Sequence, residues 1–306
     1  MRILIVRLGA MGDVIHALPA VAALRRRFPE AHMAWAIEPR WAPLLRDNPH
    51  ISEVIPLNRK QWSSIKAAWH LFRRQPFDFA IDFQGLIKSA LTAAASGAKR
   101  RAGYHRTQLR EWPAAFFYTE TMRTTASHIV DQHLQLTGAP NSVAEFTLPM
   151  GTAEGTLPQE PFVLASPFAG WPAKEWPLER YADLAKLIPM PLVLNAHPAA
   201  ASRIQAVPGT HPHISSIAGL IDATRRARAV VGVDSGPLHL AAALRKQGVA
   251  IYGPTDPARN GPYGGTIRVL RMPQAVTSYK RHDATDASML AITPAMAARE
   301  LEAVLQ

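Results

Sequence analysis

Apolar runs of strand length alternate with stretches of helical period along nearly the whole chain. The runs fall at 3–6, 33–37, 53–56, 79–82 and 101–104, then again at 162–166, 192–195, 213–217, 229–233, 249–252 and 267–270. Helix-length segments lie between them, among them 14–27, 181–187 and 238–244. Strands that are apolar throughout and separated by helices predict repeated βαβ units with parallel sheets buried on both faces. The two series predict an α/β protein of two Rossmann-like, doubly wound domains, at 1–150 and 160–290. The proline-bearing stretch 138–159 has no clear period and reads as the linker. Thr293-Pro294 is a cap followed by proline at the first helical position, so 294–306 reads as a closing helix, expected to join the first domain.

A length of 306 residues suits two domains, and 48% hydrophobic residues allow each a real core. The absence of cysteine excludes disulfides, thiolate metal sites and a cysteine nucleophile, and fits a reducing compartment. The first apolar run is only a strand long and is interrupted by Arg7 and Asp13. No run reaches the about 20 apolar residues of a membrane span, so a cytoplasmic location is expected.

The net charge of +11 is uneven: residues 1–150 hold 19 basic and 11 acidic side chains, residues 151–306 hold 15 and 12. Basic clusters at 25–27, 59–60, 73–74 and 99–101 attract phosphates, on nucleic acid or on an anionic membrane. No zinc spacing, aromatic RNP run or basic heptad helix is present, so nucleic acid is not expected as a partner. Arg25, Arg26 and Arg27 also have a plain structural role, closing a helix where positive charge is favoured.

Three places carry candidate chemistry. The first strand runs through Gly9 and Gly12 into Asp13 and straight into a helix, which sets a carboxylate at the mouth of a parallel sheet. The glycine spacing is not that of the dinucleotide fingerprint, and Asp is also a favoured N-cap, so a capping role stays open. In the second half the strand 229–233 ends in Asp234-Ser235-Gly236-Pro237, with His239 a few residues into the following helix. Exposed N–H groups at such a helix start cradle a diphosphate, while a lone histidine is as readily a satisfied core residue. The third place is the loop after the strand 162–166, where Lys174 stands between Trp171 and Trp176. It is read either as a cation for a leaving phosphate or as a side chain turned to water.

Five segments in order resemble the lipopolysaccharide heptosyltransferases of glycosyltransferase family 9, most closely the heptosyltransferase I type. They are Met11-Gly12-Asp13-Val14-Ile15-His16-Ala17-Leu18-Pro19-Ala20, Asp82-Phe83-Gln84-Gly85-Leu86-Ile87-Lys88-Ser89-Ala90, Lys174-Glu175-Trp176-Pro177, Val233-Asp234-Ser235-Gly236-Pro237-Leu238-His239-Leu240 and Tyr252-Gly253-Pro254-Thr255-Asp256-Pro257. The resemblance implies a GT-B fold, two Rossmann-like domains facing a central cleft. It also implies an inverting, metal-independent transfer of heptose from ADP-heptose to the anionic Kdo region of a lipid A core at the inner leaflet. No cofactor is implied, and the enzyme would be peripheral on the inner face of the inner membrane.

By the motif matches, the catalytic base falls on Asp13, with Gly12 and His16 in support. Donor contacts fall on Asp234, Ser235, Gly236, His239 and Lys174. Arg59, Lys60, Lys88 and Arg110 are the candidates for acceptor carboxylates or phosphates. A single displacement needs one carboxylate for the acceptor proton and cationic or N–H stabilisation of the departing diphosphate. Retention would call for a second acid as nucleophile near the anomeric carbon, and the N-terminal loop motifs offer none that must occupy such a place. The acidic residue that many relatives carry after the second strand of the donor domain is missing from 195–202, and the arginine-rich acceptor segment is reduced to Arg59-Lys60-Gln61-Trp62. The alternatives are another GT-B transferase or an epimerase using a different sugar nucleotide, or a non-catalytic nucleotide- or membrane-binding protein.

Overall fold

Twelve short strands form two separate six-stranded sheets in the computed structural model, which describes residues 1–306 apart from Tyr279 and His282. The chain divides into two units, 1–149 and 150–306, each built on one sheet. The first holds β1 (Arg2–Val6), β2 (His32–Ile37), β3 (Glu53–Pro56), β4 (Phe79–Asp82), β5 (Arg100–Tyr104) and β6 (Glu120–Met122). Its helices are α1 (Met11–Arg27), α2 (Trp62–Arg74), α3 (Ile87–Ala95) and α4 (Ile129–Leu136). The second holds β7 (Val163–Ser166), β8 (Leu192–Ala196), β9 (His211–Ile214), β10 (Ala229–Val233), β11 (Gly248–Tyr252) and β12 (Ile267–Arg271). With them run α5 (Leu178–Leu187), α6 (Ala201–Gln205), α7 (Ile217–Arg226), α8 (Gly236–Ala243), α9 (Pro257–Asn260), α10 (Ala287–Leu290) and α11 (Pro294–Leu305).

The strand orders are β3-β2-β1-β4-β5-β6 and β12-β11-β10-β7-β8-β9, with every pairing parallel. Each order reverses direction once, between β1 and β4 and between β7 and β10. In open α/β sheets that reversal splays the connecting loops apart at the carboxyl ends of the strands and leaves a crevice there. The first and second candidate places, after β1 and after β10, thus stand at the two reversal points, and the Lys174 loop follows β7 beside the latter.

The central strands are buried on both faces, and the pleat decides which neighbours each side chain meets. Leu4 and Val6 of β1 pack with Ala34 and Ala36 of β2, Ala68 and Phe72 of α2, and Ala93 of α3 in one cluster. In the second unit Val231 and Val233 pack with Val249 and Ile251 against Trp176, Tyr181 and Leu301. Trp176 is fully buried, meets Tyr181 edge to face at 4.9 Å and donates its indole N–H to Ile292 O at 3.0 Å. An aromatic of that size fills the space where α5 and the C-terminal helix meet the sheet.

Several boundaries differ from the sequence reading. The first helix starts at Met11, three residues before the expected 14, because Val14 N already bonds Ala10 O at 2.9 Å. The strand expected at 213–217 ends at Ile214, since Ser216 caps α7 by accepting from Ala218 N at 3.1 Å. β6 was not expected, being three exposed residues with no apolar run. The closing helix, expected with the first domain, packs instead on α5 and on β11 and β12, in the second unit. Its Ala297 and Leu301 belong to that unit's apolar cluster, which is what fixes it there.

The linker is tied down on both sides of the division at 149–150. Glu145 pairs with Arg26 and His50 at 3.0 Å each, while Glu154 accepts from Ser216 N at 2.7 Å and Oγ at 2.6 Å. A hydrogen bond from His50 draws the Glu145 carboxyl below its ordinary range, and bonds from Ser216 do the same for Glu154.

A Cβ built on Gly248 would lie 2.2 Å from the backbone oxygen of Val230, which the β10–β11 ladder cannot move. Gly248→Ala is therefore expected to cost about 1–3 kcal/mol of overpacking strain. Denaturant unfolding should show the loss in the transition of residues 150–306, and unchanged stability would refute this strand spacing.

Candidate active site

At the first reversal point the chain leaves β1 at Val6 and Arg7 turns inward. Its guanidinium is buried and works as a fork: Nη2 stands 2.7 Å from Asp13 Oδ1, and Nη1 donates to Phe83 O at 2.7 Å. Leu8 N donates to Gln84 Oε1 at 2.9 Å, so the loops after β1 and β4 are bonded to each other twice. Asp13 is the third residue of α1, not its N-cap, which is Ala10. Its Oδ2 accepts from Ala10 N at 3.1 Å, satisfying one of the N–H groups left open at the helix start. The carboxylate is thus fixed on two sides, yet 45% of the Asp13 side chain stays exposed against 8% for Arg7. The reach-back bond and the reactive role are compatible, since one carboxylate offers about four lone-pair sites.

The β4–α3 loop is shaped from below by Asp82, wholly buried at the end of β4. Gln84 N and Gly85 N donate to its Oδ1 at 2.7 and 3.2 Å, and Tyr118 OH donates to Oδ2 at 2.6 Å. Burial pushes the Asp82 carboxyl up, and burial beside it pushes the Tyr118 hydroxyl up as well. Gly85 turns the loop at a φ of +70°, where a Cβ would also strike Leu109 at 2.6 Å.

Of the expected acceptor residues, Arg59 and Lys88 come together at this mouth. Lys88, in the first turn of α3, is half-buried; burial lowers its ammonium, and the charge of Arg59 lowers it further. Arg59 is paired with Glu38 at 3.2 Å, and Arg40 pairs with the same carboxylate at 2.8 Å. Burial alone would raise Glu38, but the bonds from Arg59 and Arg40 outweigh it and hold the group low. Lys60 and Arg110 are exposed, Gly12 is buried in the first turn of α1, and His16 is buried edge-on to His128 at 5.6 Å.

At the second reversal point the three donor segments converge. Lys174 is buried, not turned to water: its Nζ donates to Asp234 O at 2.7 Å and Asp234 Oδ2 at 2.9 Å, and lies 4.0 Å from the Trp171 ring centre. His239 Nε2 stands 3.5 Å from Asp234 Oδ1. Burial would raise the Asp234 carboxyl, but His239 and Lys174 outweigh it and hold it well below the usual carboxylate range. Ser235 caps α8 by position only, for its buried Oγ has no partner among the described residues. Thr255 Oγ1, in the loop after β11, is likewise buried and without one. Two orphan hydroxyls beside an eight-residue helix start and a buried ammonium form a set suited to an oxyanion-rich ligand.

Sequence reasoning missed Arg7. Arg7 appeared only as an interruption of an apolar run, although a cation one residue past a strand and six before a carboxylate was the available signal. The loop after β8 indeed lacks a carboxylate, but Arg203 of α6 pairs with Glu175 of the Lys174 loop at 2.9 Å.

Two parallel six-stranded sheets with this strand order match the GT-B architecture of glycosyltransferases, and comparison with known proteins narrows the class. The model of glycosyltransferase family 9 (heptosyltransferase) matches residues 65–288, and the chain belongs to that family. It is 30% identical to lipopolysaccharide heptosyltransferase 1 of Pseudomonas aeruginosa over 86% of this chain and 82% of that one. The structure of E. coli heptosyltransferase WaaC with ADP superposes with a TM-score of 0.80 at 25% identity, covering 99% of this chain and 100% of that one. WaaC with ADP-2-deoxy-2-fluoro heptose gives 0.75 at 25% identity, over 97% of each chain.

Removing one member of the buried Lys174–Asp234 pair should be costly. Asp234→Ala is expected to destabilise residues 150–306 by about 3–5 kcal/mol, because the ammonium stays buried uncompensated. Because the folded carboxyl titrates below its unfolded value of 3.8, its contribution is complete above that pH and is lost as the pH falls through and below it. The gap in melting temperature between wild type and Asp234→Asn should therefore narrow from pH 6 to pH 3; a constant gap refutes the pairing.

Proposed function

We propose that this chain transfers a heptosyl residue from ADP-heptose to the Kdo region of a lipid A-linked lipopolysaccharide core, with inversion and without a metal. The observation that carries the reading is Asp13, ionically fixed by Arg7 at the first reversal point and still open to a substrate. In the proposed reaction Asp13 takes the proton of an acceptor hydroxyl as that oxygen bonds to the anomeric carbon. The bond from that carbon to the diphosphate breaks in the same displacement, and the electron pair leaves with ADP. Lys174, the α8 N–H groups and the Ser235 and Thr255 hydroxyls suit the departing diphosphate, and this reading assigns its stabilisation to them in place of a metal.

The acceptor is anionic and membrane-anchored in this reading, which gives the Lys88 and Arg59 cluster and the basic first half their purpose. Among the described residues no helix is long and apolar enough to cross a membrane, so contact with the inner leaflet would be made at the surface. The donor assignment draws on the likeness to WaaC bound to ADP and to an ADP-heptose analogue.

Asp13→Asn is about the same size but keeps one acceptor oxygen where the carboxylate serves both Ala10 N and Arg7, so some stability of residues 1–149 is lost with the charge. It is expected to remain folded and to bind ADP as wild type while turnover falls about 10²–10⁴-fold, the usual worth of a positioned base. Near-normal transfer by this variant would overturn the assignment. Thermal shift with ADP, UDP and GDP tests the donor: ADP should stabilise most, and a uridine preference would favour a different sugar-nucleotide enzyme.

A further inference from the structure

One face of the first sheet is covered by α2, α3 and the short turn of helix Trp112–Phe117. Right-handed crossovers from β3 to β4 and from β4 to β5 carry their helices over the same side. Ala68 and Phe72 of α2 and Ala93 of α3 lie in one cluster, and Ala90 of α3 packs with Ala114 and Tyr118. The outer surfaces of the three elements therefore look away from the sheet together.

That surface is aromatic and cationic at once. Trp62, Lys66, Trp69 and Arg73 recur at i, i+4, i+7 and i+11 along one stripe of α2, all exposed. Trp62 is 76% exposed, and the Arg73 guanidinium sits 5.3 Å from the Trp69 ring centre. Ile87 and Leu91 are exposed one turn apart on α3. Trp112 and Phe116 form an exposed edge-to-face pair at 5.5 Å, Phe116 being 76% exposed. Among the described residues every exposed Trp and Phe lies in this layer. Residues 57–75 hold five Lys or Arg and no acid; 86–97 and 105–118 add three more cations and only Glu111, which accepts from Ile87 N at 2.8 Å.

Protein interfaces use tryptophan and arginine too, but they are depleted in lysine and in charged residues at their core. Tryptophan at headgroup depth beside Lys66, Arg73 and Arg74, in a segment without an acid, suits an anionic membrane surface. We propose that the outer surface of this layer is a docking face for an anionic lipid bilayer. Trp62, Trp69, Trp112 and Phe116 enter the headgroup region, and Lys66, Arg73 and Arg74 meet lipid phosphates. The inference deepens the proposed function, resting on it for the lipid-linked acceptor: α3 begins at the loop that Arg7 ties to Asp13, so the same layer borders the mouth where that acceptor is taken.

The test is flotation of the full chain with phosphatidylethanolamine vesicles containing phosphatidylglycerol, against phosphatidylcholine alone. Wild type should float with the anionic vesicles, salt should weaken the binding, and the triple variant Trp62→Ser, Trp69→Ser, Phe116→Ser should bind at least about tenfold more weakly. The charge-reversed pair Lys66→Glu, Arg73→Glu should lose binding similarly, which guards against a folding defect in the triple variant. Both should keep wild-type transfer to a deacylated, water-soluble acceptor and lose it selectively on a vesicle-embedded one. Equal flotation with both vesicle types, or wild-type binding by both variants, overturns the proposal. So does a wild-type dimer, seen by sedimentation velocity, that the triple variant abolishes without any vesicle binding, since the face would then belong to a second copy. If wild type floats but transfers to neither acceptor, the docking face stands and the proposed reaction falls.

Discussion

The buried guanidinium of Arg7 holds the mouth of the first sheet together. Its two arms reach the carboxylate of α1 and a carbonyl of the β4–α3 loop, across the place where the strand order reverses. A reversal by itself leaves two loops diverging with open backbone groups. The fork and the Leu8 N bond to Gln84 close that gap, and in doing so they set the angle of Asp13. Two parallel N–H donors in one plane are a property of arginine and not of lysine, so the position tolerates no exchange between the two. Asp82 supports the same loop from the interior, and the half-buried Lys88 and the Arg59–Glu38 pair border it.

The two units share a topology and use it in opposite ways. Each places an aspartate at its reversal point, but Asp13 is half open and held by one cation, whereas Asp234 is enclosed between Lys174 and His239. An open carboxylate can exchange a proton with a substrate; an enclosed one bonded by an ammonium and an imidazole stays charged and aims them. Lys174 illustrates the difference between charge and availability. Its ammonium is neutralised in the free protein, so a diphosphate would meet a preformed pair in place of a bare cation, and its attraction would come as much from the α8 N–H groups and the loop hydroxyls.

Most of the architecture was legible because fully buried parallel strands are apolar throughout and their helices are punctuated by Gly, Pro and Ser. The two candidate aspartates were legible too, Asp234 as a charge ending an apolar run and Asp13 as a carboxylate at a glycine-bearing strand-to-helix join. What could not be read was whatever depends on a partner distant in sequence. The fate of Lys174 is decided by an aspartate 60 positions away, and α11 is drawn to the second unit by the apolar side of α5 and β11. Strand β6 has no pattern of its own, being held by its pairing with β5 alone. Arg7 was hidden for the same reason, as its role exists only when β1 and β4 lie side by side.

The hydroxyls of Ser235 and Thr255 carry an implication for how stable such a chain is permitted to be. A buried polar atom lacking a hydrogen bond costs about 1–3 kcal/mol, so in the proposed donor role these two side chains, unpartnered among the described residues, weaken the unliganded fold and strengthen the liganded one. Trimming them to alanine and valine would be the natural route to a hardier protein and a poorer binder. Selection for ruggedness and selection for recognition therefore pull in opposite directions at the same two atoms.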